Sequence, residues 1–161
     1  MLWEGLDRVV RDTARSRVDL TRIDLASCHA VIRLEQELEG PPVPPKIAAR
    51  YGKFITGCYR ARDFVDADTF ATALVATLVQ HPEAVVSMAS DPIHGIPRKF
   101  KFVPAISEVA DELEAITARI RLAAQGARRA LAVGAVHPKG GAENDLGPSS
   151  PRSMRCVEED A

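Results

Sequence analysis

Hydrophobic residues recur at helical spacing along most of the chain. Leu2, Leu6 and Val9 lie three or four residues apart and predict an amphipathic first helix of about four turns. A second helix is predicted over residues 21–38, and Gly40 is well placed to end it. No long segment shows the alternation of polar and apolar residues that is typical of a β-strand. The pattern therefore favours helices from the first residues onward.

Proline and glycine interrupt this pattern in the middle of the chain. The sequence PPVPP at residues 41–45 excludes a helix and predicts an extended polyproline spacer. The same segment would also suit a partner with a proline-binding groove, and this alternative stays open. Helical spacing resumes over residues 46–64, where Gly52 and Gly57 weaken the helix. We expect this helix to be either kinked or tightly packed at its glycines.

Two further helices and a loop are predicted before the C-terminal part. Asp66 or Asp68 is suited to cap the start of a helix that carries a broad apolar face. Pro82 is placed to begin a short helix, because proline is tolerated in a first turn. Residues 91–97 contain two prolines and a glycine, which indicates a loop rich in turns.

The last helix has the clearest pattern of the chain. Pro104 suits its start, and its apolar positions step by three and four residues as in a heptad seam: Ile106, Val109, Leu113, Ile116, Ile120, Ala123 and Ala127. The later seam consists of alanine alone, so this half either buries little or packs closely on a partner. From residue 133 the chain turns to glycine, proline, serine and charge, which predicts a disordered tail.

Together these patterns predict an all-α protein, a small helical bundle with a long C-terminal helix and a disordered tail. Alanine dominates the apolar residues and aromatic residues make up only 5% of the chain, which favours helices over a β-sandwich. The predicted organisation is an N-terminal helical pair (1–40), a proline-rich linker (41–45), a helical bundle domain (46–132) and the tail (133–161).

Composition narrows the function classes. Three widely spaced cysteines, an odd number, indicate a reducing compartment without a disulfide framework. The charged first residues do not resemble a signal peptide, and no apolar run is long enough to span a bilayer. We therefore expect a cytoplasmic protein without a membrane partner. The net charge of -1 excludes a globally basic nucleic-acid binder but leaves local basic surfaces open.

No pattern of a catalytic or cofactor site is present in the sequence. There is no glycine-rich phosphate loop, no nucleophile elbow and no paired-carboxylate pattern. The four histidines, His29, His81, His94 and His137, do not stand at metal-ligand spacing with a cysteine or a carboxylate. We therefore predict a protein that is not an enzyme and that needs no metal or cofactor.

Positive charge is concentrated in two segments that also carry aromatic residues. Residues 46–62 contain five cations and no acid, interleaved with two tyrosines and Phe54, and residues 98–101 read RKFK. Cations bind phosphates and exposed rings stack on bases, so these segments are candidate contacts for DNA or for a protein partner. The other interpretation is a solvated face whose rings are buried. The candidate contacts are Lys46, Arg50, Lys53, Arg98, Lys99 and Lys101.

The residues that follow the second basic segment are predicted to anchor it. Phe102 is expected to pack on the bundle and to set the angle at which the chain enters the last helix, as a hydrophobic staple does. Pro104 is expected at the first helical position, and Ile106 begins the buried seam. Arg98, Lys99 and Lys101 are expected to face solvent and to be free for a partner.

Residues 70–109 resemble the helical domain of the bacteriophage replicative-helicase loader/inhibitor family, and related uncharacterised phage and prophage proteins. In that family two helices precede a loop that ends in an aromatic residue, followed by Pro-Pro-Ser/Thr-Ile-x-Glu-Ile at the start of the next helix. The chain differs at Val103 and Ala105. The other corresponding positions are occupied by Phe102, Pro104, Ile106, Glu108 and Val109.

This resemblance implies a non-catalytic adaptor in phage-type DNA replication that binds a replicative helicase or an initiator. Members of the family use a disordered C-terminal region to reach the helicase, which the predicted tail would match. The alternative is a nucleic-acid-binding regulator that uses the basic and aromatic segments. A third possibility is an assembly helper that forms oligomers through the last helix.

Overall fold

The computed structural model describes residues 2–14 and 25–136, and this part of the chain is all-α. An isolated bridge between Pro42 and Pro82 is the one β-type pairing within it. The predicted fold class is confirmed. The helices are α1 (Leu2–Ala14), α2 (Leu25–Glu37), α3 (Pro45–Gly57), α4 (Ala67–Leu78), α5 (Glu83–Ala89), α6 (Ile96–Lys99) and α7 (Ile106–Val136).

The long helix α7 is the centre of the bundle. Helices α1, α2, α4 and α5 all pack against it, and α1 also packs against α2. The predicted seam of α7 lies at this contact, since Val109, Leu113 and Ile120 are fully buried. The alanine half of the seam is buried as well, at Ala123 and Ala127. The heptad-like pattern thus predicted the buried face of α7 along its length.

The N-terminal helical pair shares its core with the rest of the bundle. Trp3 and Leu6 of α1 belong to the same buried cluster as the apolar residues of α7. Two ion pairs connect the surfaces of these helices, one between Asp7 and Arg119 and one between Glu35 and Arg128. Residues 15–24, which include the start of the predicted second helix, lie outside the described residues.

The proline-rich segment is held against the bundle. Pro44 has the backbone angles φ -59° and ψ 140°, which are those of an extended polyproline chain, as predicted. Pro45, predicted to lie outside any helix, is instead the first residue of α3, a position that tolerates proline. Val43 is buried, and its N–H donates to the carbonyl oxygen of His81 at 2.9 Å. Because both a side chain and a hydrogen bond fasten it, this segment directs α3 onto the bundle.

Helices α3 and α4 approach each other closely at Gly52. A methyl group at Gly52 would lie 3.0 Å from Cγ2 of Val75, so the glycine permits this contact. Of the two expectations for the glycines, tight packing is therefore confirmed at Gly52. Helix α3 ends at Gly57, whereas helical structure was predicted to continue to Phe64, and a 3-10 turn over Ala61–Asp63 follows.

The start of α4 is capped as predicted. One side-chain oxygen of Asp66 accepts hydrogen bonds from the backbone N–H groups of Asp68 and Thr69, both at 3.1 Å. These two donors have no partner inside the helix, so the carboxylate satisfies them. Asp66, rather than Asp68, is the N-cap residue.

The predicted loop before α7 contains the short helix α6 and a bend at Lys101 and Phe102. Phe102 is 68% exposed, so the prediction that it anchors the loop to the core is wrong. Phe100 is half-buried and packs against the core instead. Pro104 is buried, and Ile106 packs at the edge of the core.

We expect the two phenylalanines of this loop to differ in their effect on stability. Phe100→Ala removes a half-buried ring and should lower the free energy of unfolding by about 1–2 kcal/mol, less than for a fully buried ring. Phe102→Ala should change it by less than about 0.5 kcal/mol, as is usual at an exposed position. Urea denaturation followed by circular dichroism measures both. A larger loss for Phe102→Ala would contradict the observed burial.

Helix α7 begins at Ile106, two residues later than a start at Pro104 would give. The backbone N–H of Ala105 donates to Oε2 of Glu108 at 2.7 Å, which is one half of a capping box. The other half needs a serine or threonine at position 105, which the chain lacks. At its far end α7 continues to Val136, beyond the predicted end at Ala132, and residues 137–161 of the predicted tail lie outside the described residues.

Candidate functional site

Three of the predicted contact residues form a row of positive charge on α3. Lys46, Arg50 and Lys53 are exposed, and their spacing of four and three residues places them on one face of the helix. Helix α3 contains no acidic residue. None of the three forms an ion pair with any residue that the structure describes. We call this row the basic stripe.

The aromatic residues near the basic stripe have two different environments. Tyr51 and Tyr59 are half-buried and pack against the core. Phe54, directly after Lys53, is 46% exposed. The two interpretations of this segment therefore each describe part of it, because the tyrosines serve the core while Phe54 is available to a ligand.

Tyr59 connects the end of α3 to the second basic segment. Its hydroxyl donates to the carbonyl oxygen of Ile96, the first residue of α6, at 3.3 Å. Burial, with a smaller contribution from Cys58, raises the pKa of Tyr59 to about 12. The hydroxyl thus stays protonated over the physiological pH range and remains a donor.

The second basic segment, residues 98–102, is here called the basic loop. Arg98 and Lys101 are exposed and form no ion pair within the described parts of the chain. The Lys101 ammonium lies 5.7 Å from the centre of the Phe102 ring, a distance typical of a cation–π contact. Lys99 pairs with Glu112 of α7, whose carboxylate is almost completely buried. The expectation that Lys99 is free for a partner is therefore wrong.

Removing the Lys99 charge should destabilise the protein, because it would leave the Glu112 carboxylate buried without a partner. The side chain of Lys99 is 52% exposed, so solvent reduces the expected loss for Lys99→Ser to about 1–2 kcal/mol. Arg98→Ser and Lys101→Ser should each stay within about 0.5 kcal/mol. The three free energies of unfolding, measured in urea, test this. Equal values for all three variants would show that the ion pair contributes nothing.

Two grooves lie on either side of the basic stripe. The larger, of about 760 Å³, runs between α3 and α4, and Lys53 and Asp68 are its charged residues. We call it the α3–α4 groove. The smaller, of about 510 Å³, lies between α3 and α5 and includes Phe54, and its charged residues are Arg50, Glu83 and Asp91. The apolar and small residues along the α3–α4 groove include Ala49, Gly52, Gly57, Phe64, Ala67, Ala71 and Val75.

The structure does not bring all the predicted contact residues into one concavity. Arg98, Lys99 and Lys101 line neither of the two grooves beside the basic stripe. The α3–α4 groove was not predicted from the sequence. The concentration of alanine, glycine and threonine on facing sides of α3 and α4 is the only trace of it in the sequence.

Residues 2–14 and 25–136 contain no cluster of potential metal ligands. No group of three histidine, cysteine or carboxylate side chains there is arranged to hold a metal ion. Burial lowers the pKa of His81, while the nearby Glu114 opposes this change. None of the described helices has the length and hydropathy needed to cross a membrane.

Comparisons of the chain with protein-family models, with curated proteins and with solved structures find no match.

Proposed function

We propose that the chain is a non-catalytic adaptor of phage-type DNA replication that binds a replicative helicase or an initiator protein in the cytoplasm. The α3–α4 groove is the observation that carries this proposal. It is open, about 760 Å³ in volume, and lined mainly by small and apolar side chains. Such a groove accepts a helix or an extended segment of a partner. The resemblance of residues 70–109 to phage helicase loaders supports the choice of partner.

The charges beside the groove indicate what the partner segment should look like. One wall is formed by α3, which carries the unpaired cations of the basic stripe and no acid. An amphipathic segment with acidic residues on the flank that faces α3 would match this wall. The partner's apolar residues would then lie over the small side chains of the groove.

A pull-down with the replicative helicase encoded in the same genome tests the proposal. Thr72→Trp places a large ring on an exposed position of the groove and should weaken helicase binding about ten-fold or more. Ala115→Trp, at an exposed position of α7 outside the groove, is the matched control and should bind normally. Failure of the unmodified protein to retain the helicase or the initiator would refute the proposed partner. Equal binding by both variants would exclude the α3–α4 groove as the binding site of the helicase.

A second function, nucleic-acid binding, is favoured by the unpaired cations of the basic stripe. Each lysine or arginine that neutralises a phosphate adds about 0.9 to the slope of log affinity against log salt concentration for duplex DNA, and about 0.7 for a single strand. The triple variant Lys46→Ser, Arg50→Ser, Lys53→Ser should therefore bind DNA with a smaller slope. The control with the same change in net charge replaces the exposed Arg8, Arg33 and Arg121 by serine. If the slope decreases equally in the control, the effect comes from the net charge of the protein and not from the basic stripe.

A further inference from the structure

The two exposed phenylalanines of the described chain both lie in the basic segments. The chain has five phenylalanines. Phe64 and Phe70 contact each other, with ring centres 5.2 Å apart, and Phe100 packs against the core. Phe54 and Phe102 are 46% and 68% exposed. A large exposed ring contributes little to folding. The presence of such a ring in both basic segments therefore indicates a role in binding and not in folding.

Each exposed ring belongs to a segment that contains cations without an ion pair among the described residues. Phe54 lines the smaller groove together with Arg50, one helical turn before it, and the same groove also contains Glu83 and Asp91. Lys53 precedes Phe54 in the chain and lines the α3–α4 groove. Phe102 lies under the ammonium group of Lys101, in the same short loop as Arg98. Each unit therefore combines one accessible aromatic ring with cations of the same segment, and the Phe54 unit also has the carboxylates of Glu83 and Asp91 in its groove.

Both units are held in position by the surrounding fold. Phe54 is on a helix whose opposite face is buried at Ala48 and Ile55. Phe102 is displayed between two fixed points, the half-buried ring of Phe100 and the buried Pro104. Little conformational entropy would be lost when these rings bind a ligand, because the backbone that carries them is already ordered.

A ligand that matches this composition has flat rings and negative charges in alternation. Single-stranded nucleic acid has this chemistry, since its bases expose their faces and its phosphates are charged. In a duplex the base faces are stacked inside, where surface rings do not reach them. An acidic protein segment would satisfy the cations but would not explain two rings beside them.

We propose that Phe54 and Phe102 stack on unpaired bases of single-stranded nucleic acid, while Arg50, Lys53, Arg98 and Lys101 hold its phosphates. This inference rests on the second function above, nucleic-acid binding, and specifies its ligand. It also changes the role of Phe102 from the predicted core anchor to a binding residue.

Fluorescence anisotropy with a labelled oligothymidine of about 15 nucleotides, close to the largest site of a single-strand-binding fold, tests the proposal. A duplex of equal length and a poly-glutamate peptide are the competing ligands. The single strand should bind most tightly. Phe54→Ala and Phe102→Ala should each weaken it at least about five-fold, the lower end of what loss of one stacked base costs. Phe54→Trp and Phe102→Trp should restore binding, because tryptophan also stacks.

Leu122→Ala is the matched control, because Leu122 is a similarly exposed apolar residue outside both basic segments. Its affinity should equal that of the unmodified protein, and circular dichroism should show the same fold for all variants. If the alanine variants bind normally while the triple cation variant fails, nucleic-acid binding stands and stacking is refuted. Equal or tighter binding of the duplex or the peptide also refutes stacking. If no oligonucleotide binds at low salt, the second function fails as well.

Discussion

Replacing Gly95 with alanine is expected to destabilise the protein by about 2–3 kcal/mol, near the upper end of what overpacking costs. A methyl group on Gly95 would lie 2.3 Å from the carbonyl oxygen of Ala89 and 2.7 Å from that of Asp91. Both atoms belong to the backbone, so no side-chain rotation relieves the clash. The turn itself would have to open.

The effect should extend to the basic loop, because Gly95 is the point from which α6 starts. Its N–H donates to the Asp91 carbonyl oxygen at 2.8 Å. Its own carbonyl oxygen accepts from the N–H groups of Arg98 and Lys99 at 3.1 and 3.0 Å. A displaced Gly95 would therefore also displace the residues proposed to bind the phosphates.

Gly5→Ala is the control for this prediction and should have the opposite sign. Gly5 lies inside α1, and nothing outside the helix backbone lies within 4 Å of an added methyl group. Alanine is the better helix former, so we expect a stabilisation of about 0.5–1 kcal/mol. Urea denaturation compares the two variants with the unmodified protein. A Gly95→Ala variant as stable as the unmodified protein would contradict the described turn.

The sequence predicted the structure correctly where a regular hydrophobic period or a local hydrogen bond determines it. It failed where contacts between distant residues determine which side chain is buried. The seam of α7 was predictable because side chains spaced by three and four residues share one face of a helix, whatever packs against it. The Asp66 cap was predictable because the hydrogen bonds of an N-cap are local. The basic loop has no regular spacing of hydrophobic residues that would show which of its rings is buried. Whether Phe100 or Phe102 is buried depends on the bend between them and on the ion pair of Lys99 with Glu112, thirteen residues away.

The sequence predicted the cations of the candidate site but not the groove beside them. Lys46, Arg50 and Lys53 were recognised because no acid interrupts them. The groove beside them depends on how closely α3 and α4 approach, which the contact of Gly52 with Val75 allows. Glycine in a helix only indicates that something is close to the backbone, and it does not identify the neighbour. Free and paired cations also look alike in a sequence, so Lys99 could not be separated from Arg98.

The alanine half of α7 decides how the N-terminal helices are held, and Ala127→Leu should disrupt that contact. Ala127 is fully buried, and its neighbour Arg128 pairs with Glu35 of α2. The larger side chain has no room at this buried position, and we expect it to push α2, and α1 which packs against α2, away from α7. We expect a destabilisation of about 2–3 kcal/mol, toward the upper end for overpacking, because leucine adds three carbons to a close contact.

The single tryptophan of the chain reports this movement directly. Trp3 of α1 is buried and stacks on His94, with ring centres 5.9 Å apart. If α1 leaves the bundle, Trp3 becomes exposed and its emission should shift to longer wavelength. Ala115→Leu, at an exposed position of the same helix, is the control and should leave both the emission and the stability unchanged.

We expect oligonucleotide binding to be unaffected by this loss of packing. The seam residues Val109 and Leu113 lie more than three turns of α7 away from Ala127, and α4 and α5 also pack on α7. The basic stripe is on α3, which packs mainly against α4 and α5. An Ala127→Leu variant with exposed Trp3 and unchanged oligonucleotide binding would show that the N-terminal pair serves stability alone. Loss of binding together with the emission shift would instead show that the basic surfaces need the whole bundle.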